Sequence, residues 1–117
     1  MKILVKVTKE ILWKSKMCML DQSVYTNCAV SLAIREIIPM ASVRRQYIDM
    51  DHYKIRLPEI ASSFIDEFDS LVDSPSRRVL MTPISFEIDV PNEVIESIGI
   101  SQVYKILSES KTLEHVN

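Results

Sequence analysis

The sequence predicts one α+β domain: a four-stranded, mostly antiparallel sheet in the order βαββαβ, with additional helices at the C-terminal end. Three observations carry that expectation. Residues 2–7, 45–50 and 53–57 read as strands, as do 79–90 with alternation from Ile84 to Val90, the period of a half-buried strand. Residues 28–38 and 57–72 place apolar residues at helical spacing instead. A chain of 117 residues, 47% of them hydrophobic, is long enough to bury one core without disulfide or metal staples.

The elements follow in chain order. In the first strand Ile3, Val5 and Val7 share one face and Lys2, Leu4 and Lys6 the other. Thr8 can cap a short helix to about Lys14, with Ile11 and Leu12 turned inward. Residues 15–26 have no clean period and read as a loop. Asn27 is the expected N-cap of a helix over 28–38, which Pro39 ends. Its apolar residues leave only a narrow polar stripe of Ser31, Arg35 and Glu36, with Cys28 at the N-terminal end.

Residues 45–50 and 53–57 read as a hairpin turning at Asp51-His52. A two-residue turn fixes the register: 50 faces 53, 48 faces 55 and 46 faces 57. One face then collects Met50, Tyr53, Ile48, Ile55 and Leu57, while the other sets Asp49 opposite Lys54 and Tyr47 opposite Arg56. Pro58 suits a first helical position, and Leu57, Ile60, Ala61, Phe64, Phe68, Leu71 and Val72 form the expected buried stripe. Asp73-Ser74-Pro75-Ser76 breaks the chain. In the last strand Ile84, Phe86, Ile88 and Val90 alternate with Ser85, Glu87 and Asp89, with Pro83 at its start and Pro91 after its end. A helix from about Asn92 to Ile98 stops at Gly99, and Ser101 can cap a last one to about Ser110. The domain is expected over 1–110, with 111–117 a frayed tail. The order matches the split βαβ, or ferredoxin-like, arrangement. It predicts an acidic last strand close to the lysine-bearing first one.

Composition removes several functions. One glycine in the chain argues against glycine-rich phosphate loops. Two cysteines and two distant histidines, His52 and His115, make no zinc pattern, so neither metal nor cofactor is expected. No apolar run approaches the roughly 18 residues of a membrane span. The N-terminal charges interrupt any signal peptide, which leaves a cytoplasmic protein with reduced thiols as the expectation. Residues 1–56 hold ten Lys/Arg against five Asp/Glu, and residues 57–117 hold four against eleven. Opposite halves attract within a domain, and the net charge of −2 is not that of a typical nucleic-acid binder.

Four features could carry function. Cys28 at a helix start is a weak catalytic candidate, since a thiolate there would be steadied by free N–H groups; neither histidine is placed to serve it as a base, and a small half-buried thiol is the plainer reading. Arg45, Tyr47, Lys54 and Arg56 on the hairpin could hold phosphates and stack a base, joined by Arg44 if the strand starts after it; Arg35 is added from the neighbouring helix. Otherwise they form a solvated charged face. Glu59, Asp66, Glu67 and Asp69 look exposed and alike, a solubilising face or a dock for a basic partner. The apolar segment from Val94 to Leu107 completes the core or forms a dimer seam, leaving monomer and homodimer both open.

The chain also resembles a family of small uncharacterised bacterial and phage proteins. The resemblance rests on Val7-Thr8-Lys9-Glu10-Ile11, the run Asn27 to Ile34, Ile55-Arg56-Leu57-Pro58 leading to Phe64-Ile65-Asp66-Glu67-Phe68-Asp69, and Pro83-Ile84-Ser85-Phe86-Glu87. A proline often follows the cysteine in such sequences, where this chain has Ala29. The resemblance implies no catalytic residue and an accessory product that acts by binding. The leading expectation is therefore a non-enzymatic factor, phage-encoded or accessory, that contacts a host protein. The alternatives are a nucleic-acid or nucleotide binder using the hairpin, and a cysteine-dependent enzyme through Cys28.

Overall fold

The first strand pairs with the last. In the computed structural model, which describes residues 1–18, 28–50 and 52–98, β1 (Lys2–Val7) runs antiparallel to β5 (Ile84–Asp89). The register sets Lys2 against Asp89, Leu4 against Glu87 and Lys6 against Ser85, so the acidic strand does lie beside the lysine-bearing one, with one opposite-charge pair facing across the ladder. Ile3, Val5, Val7, Phe86 and Ile88 take the opposite face and are buried. Beyond the ladder, the Val90 N–H donates to Met1 O at 2.8 Å.

The hairpin forms in the expected register. β3 (Tyr47–Met50) pairs with β4 (Tyr53–Arg56) through Met50↔Tyr53, Asp49↔Lys54, Ile48↔Ile55 and Tyr47↔Arg56. Leu57 N–H adds a bond to Gln46 O at 2.9 Å. A short strand missed from sequence, β2 (Ser42–Val43), pairs with the other edge of β3, setting Ser42 against Asp49 and Val43 against Ile48. Arg44 N–H donates to Tyr47 O at 2.8 Å, so Arg45 and Gln46 form a tight link rather than the start of a strand.

The single four-stranded sheet is not seen among the described residues: the chain is α+β, with a two-stranded sheet β1–β5 and a three-stranded sheet β2–β3–β4. β4 and β5 approach without pairing. β4 ends early for a local reason. The Leu57 N–H makes the last bond toward β3, at Gln46 O, and Pro58, which follows, has no N–H to offer.

α1 (Lys9–Ser15) is capped as expected, the Thr8 hydroxyl accepting from Ile11 N–H at 3.2 Å. α2 spans Ala29–Arg35, so Cys28 is its N-cap; Asn27, the expected cap, lies outside the described residues. Ser31, expected on a polar stripe, is buried. α3 spans Glu59–Ser70 with Pro58 as the cap rather than the first helical residue. Ala61, Phe64 and Phe68 are buried as expected, with Leu57 just before the helix; Ile65 joins them, while Ile60, expected inside, is 50% exposed. The break at residues 73–76 contains the start of a helix missed from sequence, α4 (Pro75–Val79), so β5 starts at Ile84, directly after Pro83, instead of at 79. α5 (Asn92–Ile98) sends Val94 into the core; the expected Gly99 stop, the Ser101 helix and the tail lie outside the described residues. One apolar core joins both sheets and the helices. Within it Ile3, Leu12, Ile34, Ile48 and Phe68 are each at most 1% exposed, and burying such a side chain stabilises by about 1.5–3 kcal/mol.

Candidate functional site

A cleft of about 570 Å³ opens between α2, the β2–β3 link and α3. Each wall follows from local structure. The tight link at Arg45-Gln46 brings Arg44, Arg45, Gln46 and Tyr47 to one rim. The first turn of α2 supplies Val30 and Ser31, with Cys28 at its cap. α3 supplies Ile65 and Asp69, four residues apart and hence on one helical face. Val43 closes the apolar side.

The electrostatics are mixed. Arg45 Nε donates to the Asp66 carboxylate at the exposed rim, and this bond raises the Arg45 pKa further. Burial lifts the Asp69 carboxyl above its ordinary value; Arg78 pulls it back in part, and Asp66 pushes it up. The Lys54 ammonium lies 5.0 Å from the centre of the Tyr47 ring, a cation–π contact across the hairpin. Cys28 meets Cys18 at 3.3 Å between sulfurs. Both thiols are buried, and burial is the main cause that pushes both pKa values up, Cys28 the further. The helix N-terminus therefore does not make Cys28 a ready thiolate.

The structure gathers part of what the sequence suggested. Cys28, Arg44, Arg45 and Tyr47 meet in the cleft, and Lys54 reaches it only through Tyr47. Arg56 lies elsewhere, in a shallow groove of about 520 Å³ beside Glu59, Glu87 and Asp89. Arg35 is at the far end of α2 and lines neither hollow. His52 stays exposed in the hairpin turn, and His115 lies outside the described residues. Of the acidic face, Glu59, Asp66 and Glu67 are exposed, while Asp69 is half-buried in the cleft wall.

Sequence reasoning missed Ser31, Gln46 and Asp69 as cleft residues. It also missed Arg78, which is 1% exposed and donates to Phe68 O at 2.9 Å, Lys16 O at 3.1 Å and Cys18 O at 2.6 Å. The i, i+4 spacing of Ile65 and Asp69 was the one usable signal; nothing in Arg77-Arg78 marks the second arginine as internal.

No family model, curated protein or solved structure matches this chain. Among the described residues no helix is long and apolar enough to cross a membrane, and no group of three or more His, Cys, Asp or Glu could hold a metal ion. The cleft offers two guanidiniums, of which Arg45 is bonded to Asp66, a phenol ring, a hydroxyl, the Cys28 thiol, the half-buried Asp69 carboxyl and an apolar floor. The guanidiniums and the ring suit an anionic or planar ligand; of the nucleophile types in the lining, the Cys28 thiol is pushed up by burial, away from a ready thiolate.

Proposed function

We propose that the protein is a non-catalytic binding module whose cleft takes a small ligand with an anionic group and a planar group, as a nucleotide or a single nucleic-acid residue has. The observation that carries this reading is the convergence of Arg44, Arg45 and Tyr47 on a hollow of about 570 Å³, within the roughly 300–1,000 Å³ usual for small-ligand sites. Guanidiniums suit phosphate because their fork of N–H donors matches its oxygens. The apolar floor of Val30, Val43 and Ile65 favours a ring over a bare ion. Calorimetry with adenosine monophosphate, inorganic phosphate and a single-stranded oligonucleotide tests it. Arg45→Glu and Tyr47→Ala should each weaken the best of these ligands about tenfold or more, while Arg56→Glu, outside the cleft, should not. Silence with all three probes, or equal losses from Arg45→Glu and Arg56→Glu, sinks the reading.

A second reading, contact with a host protein by an accessory or phage-encoded factor, is favoured by Trp13 and Met17. They are 60% and 65% exposed, Trp13 in the last turn of α1 and Met17 in the turn that follows it. Trp13→Ala with Met17→Ser should then abolish capture of the partner recovered by the tagged parent. Capture that survives the double change removes this surface from consideration.

A further inference from the structure

We propose that Cys18 and Cys28 form a reversible redox site: a dithiol that a low-molecular-weight disulfide converts to an intramolecular disulfide, pinning the start of α2 to the end of the α1 segment. Three observations converge on it. The two sulfurs are already in contact at 3.3 Å, although the cysteines stand ten positions apart. Both ends are held independently. Cys28 is the α2 cap, its carbonyl accepting from Leu32 N–H at 2.8 Å, and the Cys18 carbonyl accepts from the buried Arg78 at 2.6 Å. Cys28 also faces the cleft, which gives a small oxidant a route to the pair. These are the only cysteines in the chain, so each has one intramolecular partner.

The exchange balances without a metal or a further electron acceptor. One protein thiolate attacks the sulfur–sulfur bond of the oxidant and expels one small thiolate, leaving a mixed disulfide. The second protein thiolate attacks the protein sulfur of that mixed disulfide and expels the other. The two protein sulfurs are oxidised to a disulfide, the oxidant is reduced to two thiols, and the two protein-thiol protons end on them. Burial keeps both thiols protonated at neutral pH, so the exchange is slow and quickens as pH rises. The inference is independent of the cleft's ligand: a cleft that binds nothing leaves it standing.

The test uses the full chain. Native protein is equilibrated without air across graded ratios of glutathione to glutathione disulfide, quenched in acid, and its mass and free thiols are read. The same series is run in concentrated urea. The expected product is a monomer lighter by two hydrogens with no thiol left. Its midpoint should lie at a ratio at least about tenfold more reducing than that of the unfolded chain, because native contact raises the effective concentration of one thiol at the other. A midpoint at or on the oxidising side of the unfolded one overturns the proposal. So does a stable glutathione adduct or a linked dimer as the end product.

Discussion

Replacing Arg78 should damage this fold more than any other change to a charged residue in the described structure. Its guanidinium makes three bonds to main-chain carbonyls from three places in the chain, Phe68, Lys16 and Cys18, and its carbon lies 4.1 Å from the centre of the Phe68 ring. Charge-assisted bonds of this kind are each worth about 1.5–3 kcal/mol. Against them stands the several kcal/mol needed to bring a guanidinium out of water. Arg78→Met keeps the apolar stem but takes this donor from the Lys16 and Cys18 carbonyls and leaves Phe68 O with the Leu71 N–H alone, and a net loss of about 3–5 kcal/mol is expected. With a urea slope of about 1.5 kcal/mol per molar, the unfolding midpoint should fall by roughly 2–3 M. Arg78→Lys keeps the charge without the fork and should recover only part of the loss. The readout is urea unfolding followed by far-ultraviolet circular dichroism. An unfolding free energy for Arg78→Met within about 0.5 kcal/mol of the parent, the effect of an ordinary surface change, would show that these bonds do not hold the fold.

Asp69 gives a pH test whose sign is fixed. Its folded carboxyl sits above its ordinary 3.8, so as pH rises past that value the unfolded chain loses its proton first and stability falls until the folded carboxyl ionises too. Asp69→Asn should therefore stabilise at neutral pH and not at about pH 3; equal effects at both would refute the assignment. Thr8→Ala removes the α1 cap and should cost about 1 kcal/mol by the same urea assay; a change below a few tenths would mean the cap is idle. Asp49 and Lys54 face each other across β3 and β4. A double-mutant cycle should return a coupling of about 0.2–1 kcal/mol that shrinks with salt, and a zero value at low salt would argue against the register.

The hairpin was legible because two independent patterns agreed on one register: Met50, Tyr53, Ile48 and Ile55 on one face, Asp49 with Lys54 on the other. Alternation likewise exposed β1 and β5, where each side chain has one of two surroundings. α4 was not legible, since Pro75-Ser76-Arg77-Arg78-Val79 is too short to show a period. The Arg45-Gln46 link was missed because neither residue has turn chemistry, so the alternation seemed to run through it. On α3, Ile60 and Ile65 both fit a helical stripe, and only the neighbours in space decide that Ile65 goes inside. The cleft was half-visible: Arg45 and Tyr47 stood out as a pair, but their meeting with Cys28 and Asp69 depends on how α2 and α3 approach the hairpin. The same holds for the contact of Cys18 with Cys28.

The pairing of β1 with β5 also sets a schedule for synthesis. Lys2 finds its partner Asp89 only after 87 more residues have been added, which takes about 4–17 s at the usual 5–20 residues per second. Through that interval Ile3, Val5 and Val7 belong to a strand with no native neighbour in its ladder. Lys2 and Lys6, which in the finished protein merely face acidic or polar residues across the ladder, then have a second duty. They are the charges that discourage a nascent edge from pairing with another chain, so replacing both with threonine should lower the soluble yield from cells well before it lowers the stability of the folded protein.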